Sequence, residues 1–450
     1  MSVRAAGPRL LVWAGIIVFV TLCAFLTARN GQDGPITSPP DFRAFYCAGR
    51  AVLAHADPYR AEPARTCQAA ALASQGLRWV DGLVVPSPQP PYTLAFLSLF
   101  GTMPFRLASA LWFALLVVAW LRTVLLLRDL TGLRIVWPVL ATLVLGLLAS
   151  TTYGKMMPLT MWFFVETAAA LRGGDDRRAA VFATLGTMEP HIGGPVWLAL
   201  FALRPGARRA LVAGALGLLV VSLVALRPDY CFEWLTRVLP AQSMSELRDP
   251  EQYSLTTFLV LAGMAPAVAH VLGELDYGLM LLLGIWAAAR VASLWRDCAV
   301  IALIPPAFVV LGGMYMHENQ LAAAIPIGLL AFARTRRKEF ALAAVLLAVP
   351  WSACTQIVFP QVGQAFGSAH PPALPAIRPG DLAEVTWSKY VAAFAPQGQS
   401  AVVASLVKLP QWLGVALTVL TLLRLPYACV AGGGDRAPRR SRSSAANCSS

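Results

Sequence analysis

Long apolar runs recur along this chain, and they constrain its fold more than any other feature. Residues 10–28, 135–152, 157–171, 211–226, 300–316, 340–358 and 406–423 each form one. Shorter runs cover 280–291 and 320–333. A helix needs about 20 apolar residues to cross a bilayer, and in hydrocarbon every backbone polar group must be bonded internally. Helices meet that demand within one segment. Only 13% of the residues are charged, about half of what a soluble domain carries. The expected fold is therefore an all-α, polytopic transmembrane protein with about 10 to 13 apolar segments. Three stretches are broken. Pro91 to Leu127 has room for two helices divided at Pro104, and Glu189-Pro190-His191 interrupts residues 179–203. Residues 255–272 carry Pro266 and have room for a short hairpin. Broken helices at membrane depth are tolerated where they line a protein cavity.

Charge sorts these segments. The formal net charge of +13 sits in short basic clusters between apolar runs, the pattern of the positive-inside bias and not of nucleic-acid binding. Arg4 and Arg9 precede the first run, which is too long for a signal-peptide core, so an uncleaved helix with a cytoplasmic start is expected. Clusters at 128–134, 172–178, 204–209, 290–297 and 334–339 then fall inside, with a basic, disordered tail at 431–450. Residues 1–430 are expected to form a single membrane domain. Its large first outer loop is 30–90, where Phe42 to Ala54 suggests an interfacial helix, and its last outer loop is 359–405. The sorting uses basic clusters alone. It nonetheless places Lys155, Glu189, His191, His317 and Glu318 on the same face as Asp41.

Of the eight cysteines, Cys47 and Cys67 share the first outer loop. An oxidising compartment allows a disulfide there, against the alternative of two unrelated thiols. No CxxC, no Cys/His cluster, no Asp-x-Asp and no glycine-rich phosphate loop occurs. His317-Glu318 lacks the second histidine of a zinc protease helix. No metal and no cofactor is expected.

Asp41 heads an aromatic, amphipathic segment at the membrane face, Pro39-Pro40-Asp41-Phe42-Arg43-Ala44-Phe45-Tyr46, which closes with Asp57-Pro58-Tyr59. A carboxylate so placed is a candidate general base. A helix N-cap is the competing reading. His191 and His317 are ligand candidates or helix–helix hydrogen-bond partners, and Lys155 is a phosphate ligand or an interfacial anchor. Glu189 and Glu318 can pair with the histidines.

The first-loop segment resembles the corresponding pattern of the family 87 glycosyltransferases. Pro90-Pro91-Tyr92, Pro104-Phe105 and Gln252-Tyr253-Ser254-Leu255 are also similar, and the likeness runs over roughly residues 10 to 425. The chain departs from the family's pattern at Gly154-Lys155-Met156-Met157 and at Glu189-Pro190-His191. The resemblance implies a GT-C-like membrane enzyme that moves a hexose, often mannose, from a polyprenyl-phosphate-linked donor to an extracytoplasmic glycan or glycolipid. The lipid-linked sugar phosphate is a co-substrate, and the setting is a bacterial-type plasma membrane. Asp41 matches the family's catalytic base. Inverting transfer needs such a base for the acceptor hydroxyl and cationic groups for the leaving phosphate. Arg43, Tyr46, Tyr59, Lys155, Glu189, His191, His317 and Glu318 are the expected substrate-binding residues. A transporter or flippase for a lipid-linked saccharide is the alternative, and a non-catalytic membrane scaffold is a third reading.

Overall fold

A computed structural model describes residues 39–76, 83–247, 249, 252–313, 315–349, 351, 377–378, 380–394 and 399–425. The expected first helix at 10–28 and the basic tail lie outside the described residues. Two short helices of the first loop come first, α1 (Pro40–Leu53) and α2 (Ala61–Ala73). Next are α3 (Pro91–Gly101), α4 (Phe105–Thr131), α5 (Val136–Tyr153), α6 (Met157–Arg172), α7 (Asp176–Gly186), α8 (Pro190–Leu203) and α9 (Arg208–Ala225). Then come α10 (228–245), α11 (Leu255–Leu261), α12 (Pro266–Trp295), α13 (Val300–Val309), a 3₁₀ turn (Glu318–Ala324), α14 (Ile325–Thr335) and α15 (Lys338–Ala348). Helices α16 (Ala383–Phe394) and α17 (Gln399–Leu423) complete the described chain. Among the described residues, five helical segments are long and apolar enough to span a membrane, and β-pairing is limited to isolated bridges. The protein is thus an all-α, multi-pass membrane protein. Helices α9 and α12 turn Leu216, Val224, Leu275 and Leu282 outward, as lipid-facing helices do.

Prolines and glycines cut the elements where local chemistry requires. Pro40, Pro91 and Pro190 each open a helix at a position whose N–H needs no partner. Helix α4 ends at Gly132 in the left-handed region (φ 69°). Residues 255–272 break at a turn between α11 and α12, and Pro266 starts a continuous helix of 30 residues that absorbs the separate segment read at 280–291. Its proline sits in the first turn, where helices accept it. The runs at 300–316 and 320–333 are corrected as well. Helix α13 stops at Val309, and residues 310–313 and 315–317 are irregular chain before the 3₁₀ turn. Pro305 and Pro306 remove backbone donors from α13, and Gly313 takes φ 101°. The backbone of Met316 finds other partners: Tyr253 N–H donates to Met316 O at 2.5 Å, and Met316 N–H to Gln252 Oε1 at 2.7 Å.

The bundle has two chemically distinct ends. At one, Asp297 accepts from Arg172 (2.5 Å) and Arg334 (2.8 Å), Arg204 holds Asp176 (2.9 Å), and Arg290 caps the carbonyl of Leu423 (2.8 Å). The basic clusters at 172–178, 204–209, 290–297 and 334–339 therefore meet at one pole. At the other, the first and last loops pair through the Arg60–Leu382 bridge, and Arg60 reaches Glu233 at 2.7 Å.

Helix α1 buries ten of its 14 residues and does not lie open at an interface. Phe42 stacks on Trp112 with centroids 5.1 Å apart, and Phe100 meets Trp112 edge-on at 5.4 Å. A Cβ on Gly49 would stand 2.6 Å from Leu97 O, so glycine is what lets α1 and α3 touch backbone to backbone. A disulfide joins Cys47 to Cys67 and pins α1 to α2. Its 20-residue separation corresponds to about 3 kcal/mol of loop-closure entropy. Cys47→Ser and Cys67→Ser should each lower unfolding stability by about that amount. The double variant should lose no more than either single one, because both remove the same bond. Additive losses in a chemical unfolding series would contradict this.

Candidate functional site

The polar end is assembled around the junction of α5 and α6. Helix α5 closes at Gly154 with φ 80°, a conformation that a side chain strains. A Cβ there would also lie 2.6 Å from Phe42 Cβ. Trp112 fixes the same turn by donating its indole N–H to Gly154 O at 2.9 Å. The next residue, Lys155, thereby points at α1, with Nζ 3.8 Å from Asp41 Oδ2. Asp41 does not cap α1: Pro39 holds that position, with no side-chain cap bond. The N-cap reading therefore fails, and the carboxylate is left to face Lys155. Asp41 also sits in the first turn, where the helix dipole favours an anion. Burial raises the Asp41 pKa above its ordinary value, Lys155 opposes this in part, and Asp249 adds to the rise. A quarter of the side-chain surface nevertheless stays accessible. Arg43 is buried two residues further along α1, and its charge also acts on Asp41.

Around this pair the structure gathers the other polar candidates. Glu189 precedes α8; its Oε2 accepts from the Thr160 hydroxyl at 2.6 Å and its Oε1 from Gln320 Nε2 at 3.4 Å. Tyr92 steadies that break by donating to Thr187 O at 2.8 Å. His191 Nε2 lies 2.5 Å from the same Gln320 amide nitrogen. His317 opens the 3₁₀ turn, with Nε2 3.1 Å from the Tyr315 hydroxyl and 3.6 Å from Glu246 Oε2. Burial, with Lys155 and His191 nearby, holds the His317 pKa well below the usual imidazole range. Its contact with Glu246 is accordingly not an ion pair. Glu318 Oε1 accepts from Gln411 Nε2 at 2.7 Å.

Two expected residues stand apart. The Tyr46 hydroxyl donates to Met103 O and that of Tyr59 to Gln89 O, each at 3.0 Å, and both rings are buried. They pack the first loop and do not join the polar cluster. The sequence reading also missed several members. Glu246, buried, accepts from Gln242 (2.9 Å), Trp387 (3.0 Å) and Gln252 (2.8 Å). Burial first, then Asp249, pushes its carboxyl well above the ordinary value. Gln320 ties Glu189, His191 and His317 together. Lys408 donates to Gln252 O and lies over the Tyr253 ring at 5.2 Å. Nothing local marks Glu246 or Asp249. Gln252 had been noted only for the Gln-Tyr-Ser-Leu motif.

Chemically, the arrangement offers one partly accessible carboxylate beside an ammonium, backed by buried carboxylates and neutral donors. That combination can take a proton from a hydroxyl and hold an anionic group close by. The model of glycosyltransferase family 87 matches residues 89–315, half of the chain. No curated protein and no solved structure matches. The matched span contains Lys155, Glu189, His191, Glu246 and Tyr315. It begins after Asp41 and ends two residues before His317.

The Asp41–Lys155 contact makes a quantitative prediction. Lys155→Met leaves Asp41 without its neighbouring ammonium and should cost about 1 kcal/mol. Asp41→Asn should be more favourable in that background than in the wild type, with a coupling of about 1 kcal/mol in a double-mutant cycle. Strict additivity would show that the two side chains do not interact.

Proposed function

The chain belongs to glycosyltransferase family 87, and from that premise we propose that it moves a hexose from a polyprenyl-phosphate-linked donor to a hydroxyl of a glycan or glycolipid. The observation that carries this reading is Asp41, partly accessible and 3.8 Å from Lys155, at the edge of a buried polar cluster. Asp41 takes the proton of the acceptor hydroxyl as its oxygen attacks the anomeric carbon. The bond from that carbon to the phosphate oxygen breaks, and the configuration inverts. The leaving group departs as the lipid phosphate, whose charge Lys155 offsets. His191, His317, Glu189 and Glu318 shape the donor site, and Arg43 supports the charge on Asp41. Mannose is the sugar that the family resemblance favours, and a GT-C architecture is the class it implies.

A multi-pass membrane protein suits such a donor. Extracting a polyprenyl chain costs about 0.8 kcal/mol per CH₂, so the reaction is best carried out where the tail stays in lipid. The two poles of the bundle support a bacterial-type plasma-membrane setting. The arginine-rich end lies on the cytoplasmic side, and the Asp41 end faces outward.

Asp41→Asn should lower sugar transfer by about 10²–10⁴-fold while the protein still folds. Its stability near neutral pH should equal or exceed that of the wild type. The sign follows from the raised pKa: ionising a buried carboxyl opposes folding, and Asn carries no such charge. Near-normal turnover by this variant, assayed in membranes with a polyprenyl-phosphate sugar, would reject Asp41 as the base. The same shift sets the pH profile. The ionised form is the active one, so kcat/KM should fall on acidification with an apparent pKa above the ordinary 3.8. An acidic limb at or below that value would contradict the assignment.

A further inference from the structure

The missed members of the polar end form a cluster with a chemistry of its own. Glu246, Asp249 and His317 each present one ligand atom, and these atoms all lie within 4.8 Å of one another. Three points so spaced share a centre no more than about 2.8 Å from each, close to the 2.0–2.6 Å of hard-cation ligand bonds. All three side chains are buried. Glu246 and His317 are held by partners outside the triad. Glu246 Oε1 is held by Gln242 and Trp387, and Oε2 by Gln252. Gln252 and His317 are bridged backbone to backbone, and Asp249 N–H donates to Glu246 O at 3.0 Å. Partners that orient ligating groups in this way are typical of built metal sites.

A second observation points to a ligand. Gln242 is 5% exposed, and its amide nitrogen donates to Glu246, yet its Oε1 has no hydrogen-bond partner. A buried carbonyl oxygen without a donor costs about 1–3 kcal/mol, and this one belongs to the amide that meets Glu246. Charge leads to the same place. Asp41, Glu189, Glu246, Asp249 and Glu318 crowd one end of the bundle. Against these five carboxyls stand Lys155, which faces Asp41, Arg43, whose charge also acts on Asp41, and Lys408, which is bound to Gln252 O.

We propose that Glu246, Asp249 and His317, with Gln242 at their edge, bind one divalent cation of the Mn²⁺ type. Two carboxylates and an imidazole make a mixed set dominated by oxygen, which suits Mn²⁺ better than a soft metal. Resting on the transferase reading, the cation serves the donor phosphate, supplying positive charge that Lys155 alone does not. No ligand spacing along the chain marks such a site. Here the third ligand comes from a distant segment.

The test is Mn²⁺ alone added to the intact, EDTA-stripped protein in detergent, followed by the electron paramagnetic resonance signal of free Mn²⁺. One ion per chain should be taken up. Glu246→Gln and Asp249→Asn should each weaken binding by about tenfold or more. If one variant fails to fold, the other and the wild-type stoichiometry still decide. A wild-type chain that takes up no Mn²⁺ overturns the site. Undiminished uptake by the variants overturns it equally. The readout needs neither donor nor acceptor. A chain that binds Mn²⁺ but transfers no sugar would keep the site and reject the transferase reading.

Discussion

The contact on which the polar end depends is the close approach of α1 to the turn at Gly154. Phe42 fills the space that a side chain at that glycine would occupy, and the turn uses a left-handed conformation. Trp112 clamps both partners, stacking on Phe42 and donating to Gly154 O. Aromatic stacking and one buried hydrogen bond thus set the separation of two residues 114 positions apart, Asp41 and Lys155. Were α1 shifted outward, the carboxylate would lose the ammonium that partly balances its burial.

Burying several ionisable groups at one end is costly unless each has a partner. The structure meets this with amides, hydroxyls and an indole as well as with ion pairs. Gln320 serves Glu189 and His191, Gln411 serves Glu318, and Gln252 with Trp387 serves Glu246. Neutral donors stabilise carboxylates without fixing a formal charge balance, so the charge at this end can respond to a bound anion or cation. The opposite pole is different in kind. Asp297 is closed between two arginines, Arg172 and Arg334, an arrangement suited to holding helix ends together.

The irregular chain at 310–313 and 315–317 belongs to the same design. Helix α13 ends at Val309, and the backbone of Met316 beyond it is satisfied by residues 252–253. That exchange brings His317 to Gln252 and hence to Glu246. A continuous helix there would satisfy its own backbone and would have no reason to pair with the segment after α10.

The sequence alone carried the membrane-spanning, all-helical character, the breaks at Pro104 and Glu189, and the division into a basic and a polar end. These depend on properties that individual residues keep wherever they sit: hydropathy, charge, and the missing N–H of proline. Short motifs carried the family, because the residues that mark it are close neighbours in the chain. Tertiary structure decided the rest. It turned Tyr46 and Tyr59 into packing residues, removed Asp41 from the cap position, and ran α12 unbroken through residues 266–295. It also joined Glu246 and Asp249 to His317, and Gln320 to Glu189. Each of these outcomes depends on which surfaces meet. That is fixed by close approaches at Gly49 and Gly154 and by aromatic packing across several helices, and a linear pattern of residue types does not encode those distances.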